Sequence, residues 1–228
     1  MSILEAYELN KKYGEGETQV HALKDAELKI EKGEFVAVVG PSGSGKSTLL
    51  HLLAGLDTPS YGRVYINDRN IVGLPEKELS IFRRRNIGFI FQFFNLLPIL
   101  SLEENVILPI QLDEQKVDWD YINELLNTLG LEERRDHVPG ALSGGQQQRA
   151  AIARALSTKP AIIFADEPTG NLDTKSSEEV LKLLKESIKK YNQTLVLITH
   201  DPEVAKHADR IITLEDGKIV EDRVIASV

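Results

Sequence analysis

The stretch Gly40-Pro41-Ser42-Gly43-Ser44-Gly45-Lys46-Ser47-Thr48 carries the most explicit chemistry in the chain. It keeps the spacing G-x-x-x-x-G-K-[ST] of a phosphate-binding loop. Glycines at such spacing let backbone N–H groups converge on phosphate oxygens, and a helix N-terminus behind them adds its positive dipole end. Lys46 has the length to reach the outer phosphates, and the Ser47 hydroxyl suits Mg²⁺. The bland alternative is a Gly/Ser-rich turn that happens to precede a lysine. Its flanks argue against that: Glu34–Val39 is a short apolar run fit for a buried strand, and Thr48–Ala54 is a good helix start. A nucleoside triphosphate is the expected ligand.

Further polar residues follow other apolar runs. Gln92 comes after Ile87–Phe91, Asp166 and Glu167 after Ala161–Ala165, and His200 after Thr194–Thr199. In open α/β sheets, ligands bind beyond the carboxyl ends of the strands. Taken singly, Gln92 is a loop residue, Asp166 a cap before Pro168 and His200 a strand-end hydrogen bonder. Taken together, they are expected to gather around one nucleotide. Phosphoryl transfer needs its metal held and the phosphate charge neutralised. Asp166 is suited to holding Mg²⁺, mostly from outside the direct ligand shell, and Glu167 to polarising the attacking water as general base. His200 can donate to the γ-phosphate, and Gln92 can touch the metal or the water. Many phosphate-loop proteins could fill these roles.

The elements that position these residues are apolar strands alternating with helices, which implies an α/β fold with a parallel sheet covered on both faces. Residues 3–9 and 20–30 alternate and predict antiparallel strands around the turn at Gly14-Glu15-Gly16. Tyr13, just before that turn, reads by itself as a half-buried surface aromatic. Gly62–Asp68 predicts another strand. Residues 75–85 predict a helix ending in Arg83-Arg84-Arg85, expected as a solvated basic face. Phe93–Leu100 holds more apolar bulk than a loop needs, for packing against the next helices or for docking a partner. Residues 103–140 read as mostly helical. Val117, Tyr121, Leu125 and Leu129 mark a helix, with Trp119 as a packing anchor. Helices follow over 146–157 and 175–190, and a hairpin turns at Asp216-Gly217.

Composition sets bounds. The 228 residues make one large domain, or a domain with a subdomain. A formal net charge of −8 argues against nucleic acid as a partner. With no cysteine, disulfides and thiolate metal sites are excluded. The N-terminus has no signal-peptide pattern. No apolar run approaches the ~20 residues of a membrane span, so a link to a membrane is expected through a partner.

Leu142-Ser143-Gly144-Gly145-Gln146-Gln147-Gln148-Arg149 decides among phosphate-loop proteins. Here the chain resembles the ATP-binding-cassette (ABC) superfamily, whose signature begins Leu-Ser-Gly-Gly-Gln. The resemblance spans nearly the whole chain. Gly40–Thr48 matches the phosphate loop, Gln92 the Q-loop, Ile162–Glu167 the Walker B strand with its catalytic glutamate, and His200 the H-loop. Asn171-Leu172-Asp173 stands at the D-loop, with Asn171 where many cassettes have alanine. The resemblance also makes Tyr13 the aromatic that stacks on adenine. It implies a P-loop ABC ATPase domain with a RecA-like core. An N-terminal antiparallel β subdomain and an inserted helical subdomain over about 93–157 would complete it, the core taking about 1–92 and 158–228. It further implies an ATP-dependent homodimer in which Ser143, Gly144, Gly145 and Asp173 of one copy act in trans on the ATP of the other. Ser143–Gly145 open a helix and so form a second anion-binding N-terminus.

A finer resemblance lies in Asp166–Asp173, Ile90–Pro98 and Glu104–Pro109, which are similar to cassettes of the LolD/MacB-like branch. That branch implies an ATPase powering a membrane permease for export or mechanotransmission of lipoprotein, peptide or antibiotic type. The permease is expected on a separate chain, since this one ends at Val228. It would dock near Phe93–Leu100 and hold the subunit on the cytoplasmic face of the cell membrane. The alternatives are an FtsE-like regulator that acts on cell-wall enzymes without transport, and a soluble cassette.

Overall fold

The structure, a computed structural model, describes residues 1–225. From the N-terminus, β1 (Ser2–Tyr13) and β2 (Val20–Glu31) pair antiparallel, with Tyr13 opposite Val20. The partial alternation expected there becomes one buried and one wet face, with Leu4, Ala6, Leu23 and Ile30 inside. Next come β3 (Phe35–Val39) and α1 (Lys46–Leu53). β4 (Tyr61–Ile66) pairs with β1, and the two-residue β5 (Arg69–Asn70) pairs with β4. The antiparallel sheet thus runs β2-β1-β4-β5. α2 (Glu76–Asn86) follows, close to the predicted bounds.

Beyond it lie β6 (Ile87–Ile90), α3 (Leu102–Leu112), α4 (Trp119–Thr128), α5 (Gly144–Leu156), β7 (Ile162–Asp166) and α6 (Thr174–Lys190). The chain closes with β8 (Thr194–Ile198), the short α7 (Pro202–Ala205), β9 (Arg210–Glu215) and β10 (Lys218–Val224). β9 and β10 form the expected hairpin, its turn at Asp216 (φ 46°) and Gly217 (φ 78°).

These elements divide into two compact units: Met1–Arg83 with the chain from Thr194 onward, and Arg84–Gln193. In the first, β3 lies between β8 and β9, parallel to both. Every residue of β8 is buried, as the apolar run Leu195–Ile198 requires. Leu49, Leu50, Leu52 and Leu53 of α1 are buried with them, each contributing about 1.5–3 kcal/mol of hydrophobic stabilisation. In the second unit, β6 and β7 pair in parallel and α5 packs on β6. The approach is close: a Cβ on Gly88 would fall 2.5 Å from the carbonyl oxygen of Ala155. Tyr121 of α4 donates to the Leu156 carbonyl at 2.9 Å and meets Tyr191 edge-on. No helix of the described residues is long and apolar enough to cross a membrane.

Two expectations are corrected. Trp119 is no packing anchor: it is the first residue of α4 and 45% exposed, while Tyr121, Ile122, Leu125 and Leu126 fill the interior. Arg83–Arg85 is not a merely solvated face. Arg83 donates to the Gly55 carbonyl at 2.6 Å, and Arg84 and Arg85 both grip the carboxylate of Asp113, at 2.7 and 2.8 Å.

Candidate nucleotide site

After β3 the chain turns through Gly40–Gly45 into α1, as the motif predicts. Gly45 has φ +100°, and a Cβ there would sit 2.4 Å from the carbonyl oxygen of Ala22. One on Gly40 would sit 2.1 Å from that of Leu214. The loop is pressed onto the backbone of its neighbours, which only glycine permits.

What the loop leaves open is equally informative. α3, α4, α5 and α6 are each capped by a side chain, Ser101, Asp118, Ser143 and Asp173. α1 has Gly45 at its N-cap and no side-chain cap. First-turn N–H groups have no partner within a helix, and an anion suits the start of a helix that no side chain caps. Lys46 is 8% exposed, and its ammonium donates to the Gly40 and Pro41 carbonyls at 2.9 and 2.8 Å. The cation is therefore held over the loop. Ser44 is 3% exposed, with its hydroxyl oxygen lacking a hydrogen-bond partner. An uncapped helix, a fixed cation and an orphaned hydroxyl together fit a polyphosphate.

Tyr13 is brought to the same helix. Its hydroxyl donates to Asp57 at 2.7 Å, and the Lys11 ammonium lies 4.8 Å from its ring centre. Burial and Asp57 raise the phenol above its ordinary value, while a hydrogen bond from Thr48 at the end of the loop pulls it down. Burial works against ionisation of Asp57, but Lys11, at 2.6 Å, and Tyr13 outweigh it and hold the carboxyl low. Lys11 and Asp57 orient the ring, a role that no motif signals. In the same unit His200 sits in an exposed bend just past β8.

The second unit holds the other named residues. β7 ends at Asp166, and Glu167 follows in a left-handed conformation, φ +44°. Such a conformation costs a non-glycine residue on the order of 1 kcal/mol and breaks the strand before Pro168. Gln92 is half-buried two residues past β6. Its carbonyl accepts from the Asn171 amide at 2.8 Å, and its side chain lies against Gly170. Asn171 therefore ties the segment before Asp173 to Gln92, which an alanine could not do.

Ser143 is the N-cap of α5. Its hydroxyl accepts from the Gln146 N–H at 3.3 Å, while the Gln146 side chain accepts from the Ser143 N–H at 2.9 Å. This capping box explains Ser and Gln at that spacing and leaves the Ser143 O–H hydrogen as a donor. The helix starts at Gly144, two residues before the predicted Gln146, so both signature glycines lie in its first turn. Asp173 caps α6, and hydrogen bonds from the Ser176 hydroxyl and N–H hold its carboxyl below the usual range.

Among the described residues no group of histidines and carboxylates forms a protein-only metal cage. Mg²⁺ bound with phosphates draws most of its ligands from phosphate and water, so one or two protein oxygens suffice. Ser47, Gln92 and Asp166 fit that demand in residue type.

Comparison with known proteins agrees with this geometry. The family described as "ABC transporter" matches residues 23–170. The macrolide export ATP-binding/permease protein MacB of Bdellovibrio bacteriovorus is 50% identical over 214 residues, 94% of this chain but 33% of that protein. The lipoprotein-releasing system ATP-binding protein LolD of Acinetobacter baylyi is 43% identical over 225 residues, covering 96% of this chain and 97% of its own length. A solved dimeric structure of the ATP-binding cassette MJ0796, in a post-hydrolysis state bound to ADP and Pi, superposes with TM-score 0.87 at 42% identity. It covers 99% of this chain and 100% of its own.

Proposed function

The chain belongs to the ABC transporter family of ATP-hydrolysing cassettes, and from that premise we propose how its residues divide the work. The uncapped α1 behind a glycine loop, with Lys46 fixed above it, carries the reading. ATP places its phosphates on the backbone N–H groups of the Gly40–Thr48 loop, Pro41 excepted because it has none, with Pro41, Ser42, Gly43 and Ser44 forming the turn. Lys46 neutralises the outer phosphates, and Tyr13 stacks on adenine. Glu167 takes a proton from the attacking water, His200 donates to the γ-phosphate oxygen, and Gln92 orients the water. Mg²⁺, when bound, screens the phosphate charge; Ser47, Gln92 and Asp166 are the residues that would hold it.

The partner copy completes each site. Ser143, Gly144 and Gly145, at the start of α5, and the nearby Asp173 reach the ATP bound by the opposite subunit, so two chains close over two nucleotides. The force is delivered to a membrane permease of the LolD/MacB kind, which keeps the subunit on the cytoplasmic face of the membrane. Phe93, Leu97 and Ile99, 70%, 44% and 85% exposed, supply the apolar dock.

The test is steady-state phosphate release by the purified chain with ATP and Mg²⁺. Lys46→Ala should lower ATP affinity at least tenfold and abolish release. Unchanged release in that variant would remove the phosphate loop from the reaction.

A further inference from the structure

Arg154, in the last turn of α5, has a partner set unlike that of the other arginines. Its guanidinium donates to two consecutive main-chain carbonyls, Phe94 at 3.0 Å and Asn95 at 2.5 Å. Among the described residues its partners are these carbonyls and no carboxylate, in a chain with 35 acidic against 27 basic residues. Half-burying a cation against neutral carbonyls is unfavourable for the charge, and burial does lower its pKa. The planar fork suits two neighbouring carbonyls, a task one ammonium cannot copy. Asn95 adopts the left-handed φ of +51° between them and the rest of the loop.

The loop that Arg154 holds is the exposed apolar segment. Phe94 turns inward, its ring 3.8 Å from where a Cβ on Gly144 would lie. The segment is therefore gripped at both ends of α5, by Phe94 at the first turn and by Arg154 at the last. Asn105, fully buried, holds the far end through Leu97 and Leu100. Phe93 and Ile99 stay outward.

We propose that Arg154 is a positioning residue that couples the 93–100 segment to α5, so that displacement of the segment moves Ser143–Gly145. This deepens the docking and trans-phosphate reading above and rests on it. Coupling of this kind is reciprocal: if the segment moves the helix, nucleotide engagement at the helix must move the segment.

The chain has no cysteine, so Ile99→Cys takes a single spin label. In a Glu167→Gln background, MgATP should change the label's mobility. Arg154→Met and Arg154→Lys should each abolish that change while ATP affinity stays within about twofold and the melting temperature is retained. Arg154→Lys keeps the charge and the stem, so it serves where the methionine variant fails to fold. A full response in either folded variant overturns the proposal, as does an intact chain whose label ignores MgATP. The docking reading has its own readout, photo-crosslinking from position 99 in membranes. Failure to reach an integral membrane protein there would sink docking while leaving the label response to decide the coupling.

Discussion

Gly45 shows how tightly single residues are constrained. Its φ of +100° and the 2.4 Å approach of a would-be Cβ to the Ala22 carbonyl leave no room for a side chain. Gly45→Ala should destabilise the fold by roughly 2 kcal/mol, from left-handed strain and backbone displacement. Thermal unfolding checks this, and an unchanged melting temperature would contradict it. Asp113 gives a pH dependence. Arg85 first, then Arg84, holds its carboxyl below the ordinary range, against the opposing pull of burial. A depressed carboxylate contributes stability that is present above its unfolded pKa of about 4 and lost as pH falls through the lower folded value. Asp113→Asn should therefore lower the melting temperature at pH 7 and flatten its decline below pH 4. Equal acid slopes in the two proteins would show that the cluster carries no such linkage.

At the scale of elements, α5 is where a capping box and the proposed contact with the opposite nucleotide coincide. Ser143 is satisfied by Gln146 within its own helix start, so its replacement should alter that helix start. Ser143→Arg should keep ATP affinity within about threefold and abolish turnover. Normal hydrolysis would remove this helix from the reaction. Much of this architecture was legible in residue order. β3 is apolar throughout, β7 is apolar up to Asp166 at its end, β8 is apolar after Thr194 at its start, and Glu167 stands just past β7. The rest depended on partners distant in sequence. β5 exists only because β4 offers it a ladder. Arg84 reaches Asp113 across 29 positions, and Asn171 reaches Gln92 across 79, so neither pair leaves a local pattern. Trp119, whose large apolar ring suggests a packing anchor, sits exposed at the first residue of α4, outside the stripe of Tyr121, Ile122, Leu125 and Leu126 that is buried. Tyr13 illustrates the opposite limit. Its residue type was plain, but Lys11, Thr48 and Asp57 hold the ring, and only the fold assembles them.

For the whole molecule, the proposal is that ATP joins two copies and that hydrolysis releases them. Each copy would bring a phosphate loop for its own nucleotide and Ser143–Gly145 for the other, an arrangement that closes on itself as an isologous pair. The chain's net charge of −8 sets two copies against each other electrostatically. Association should therefore need the nucleotide as the bridging ligand and should weaken at low salt. The direct measurement is multi-angle light scattering of Glu167→Gln with and without MgATP, because removing the base leaves the phosphate cradle intact and stops the cycle before release. The predicted result is monomer mass without nucleotide and twice that mass with MgATP. A variant that binds ATP yet keeps monomer mass would contradict the two-copy site.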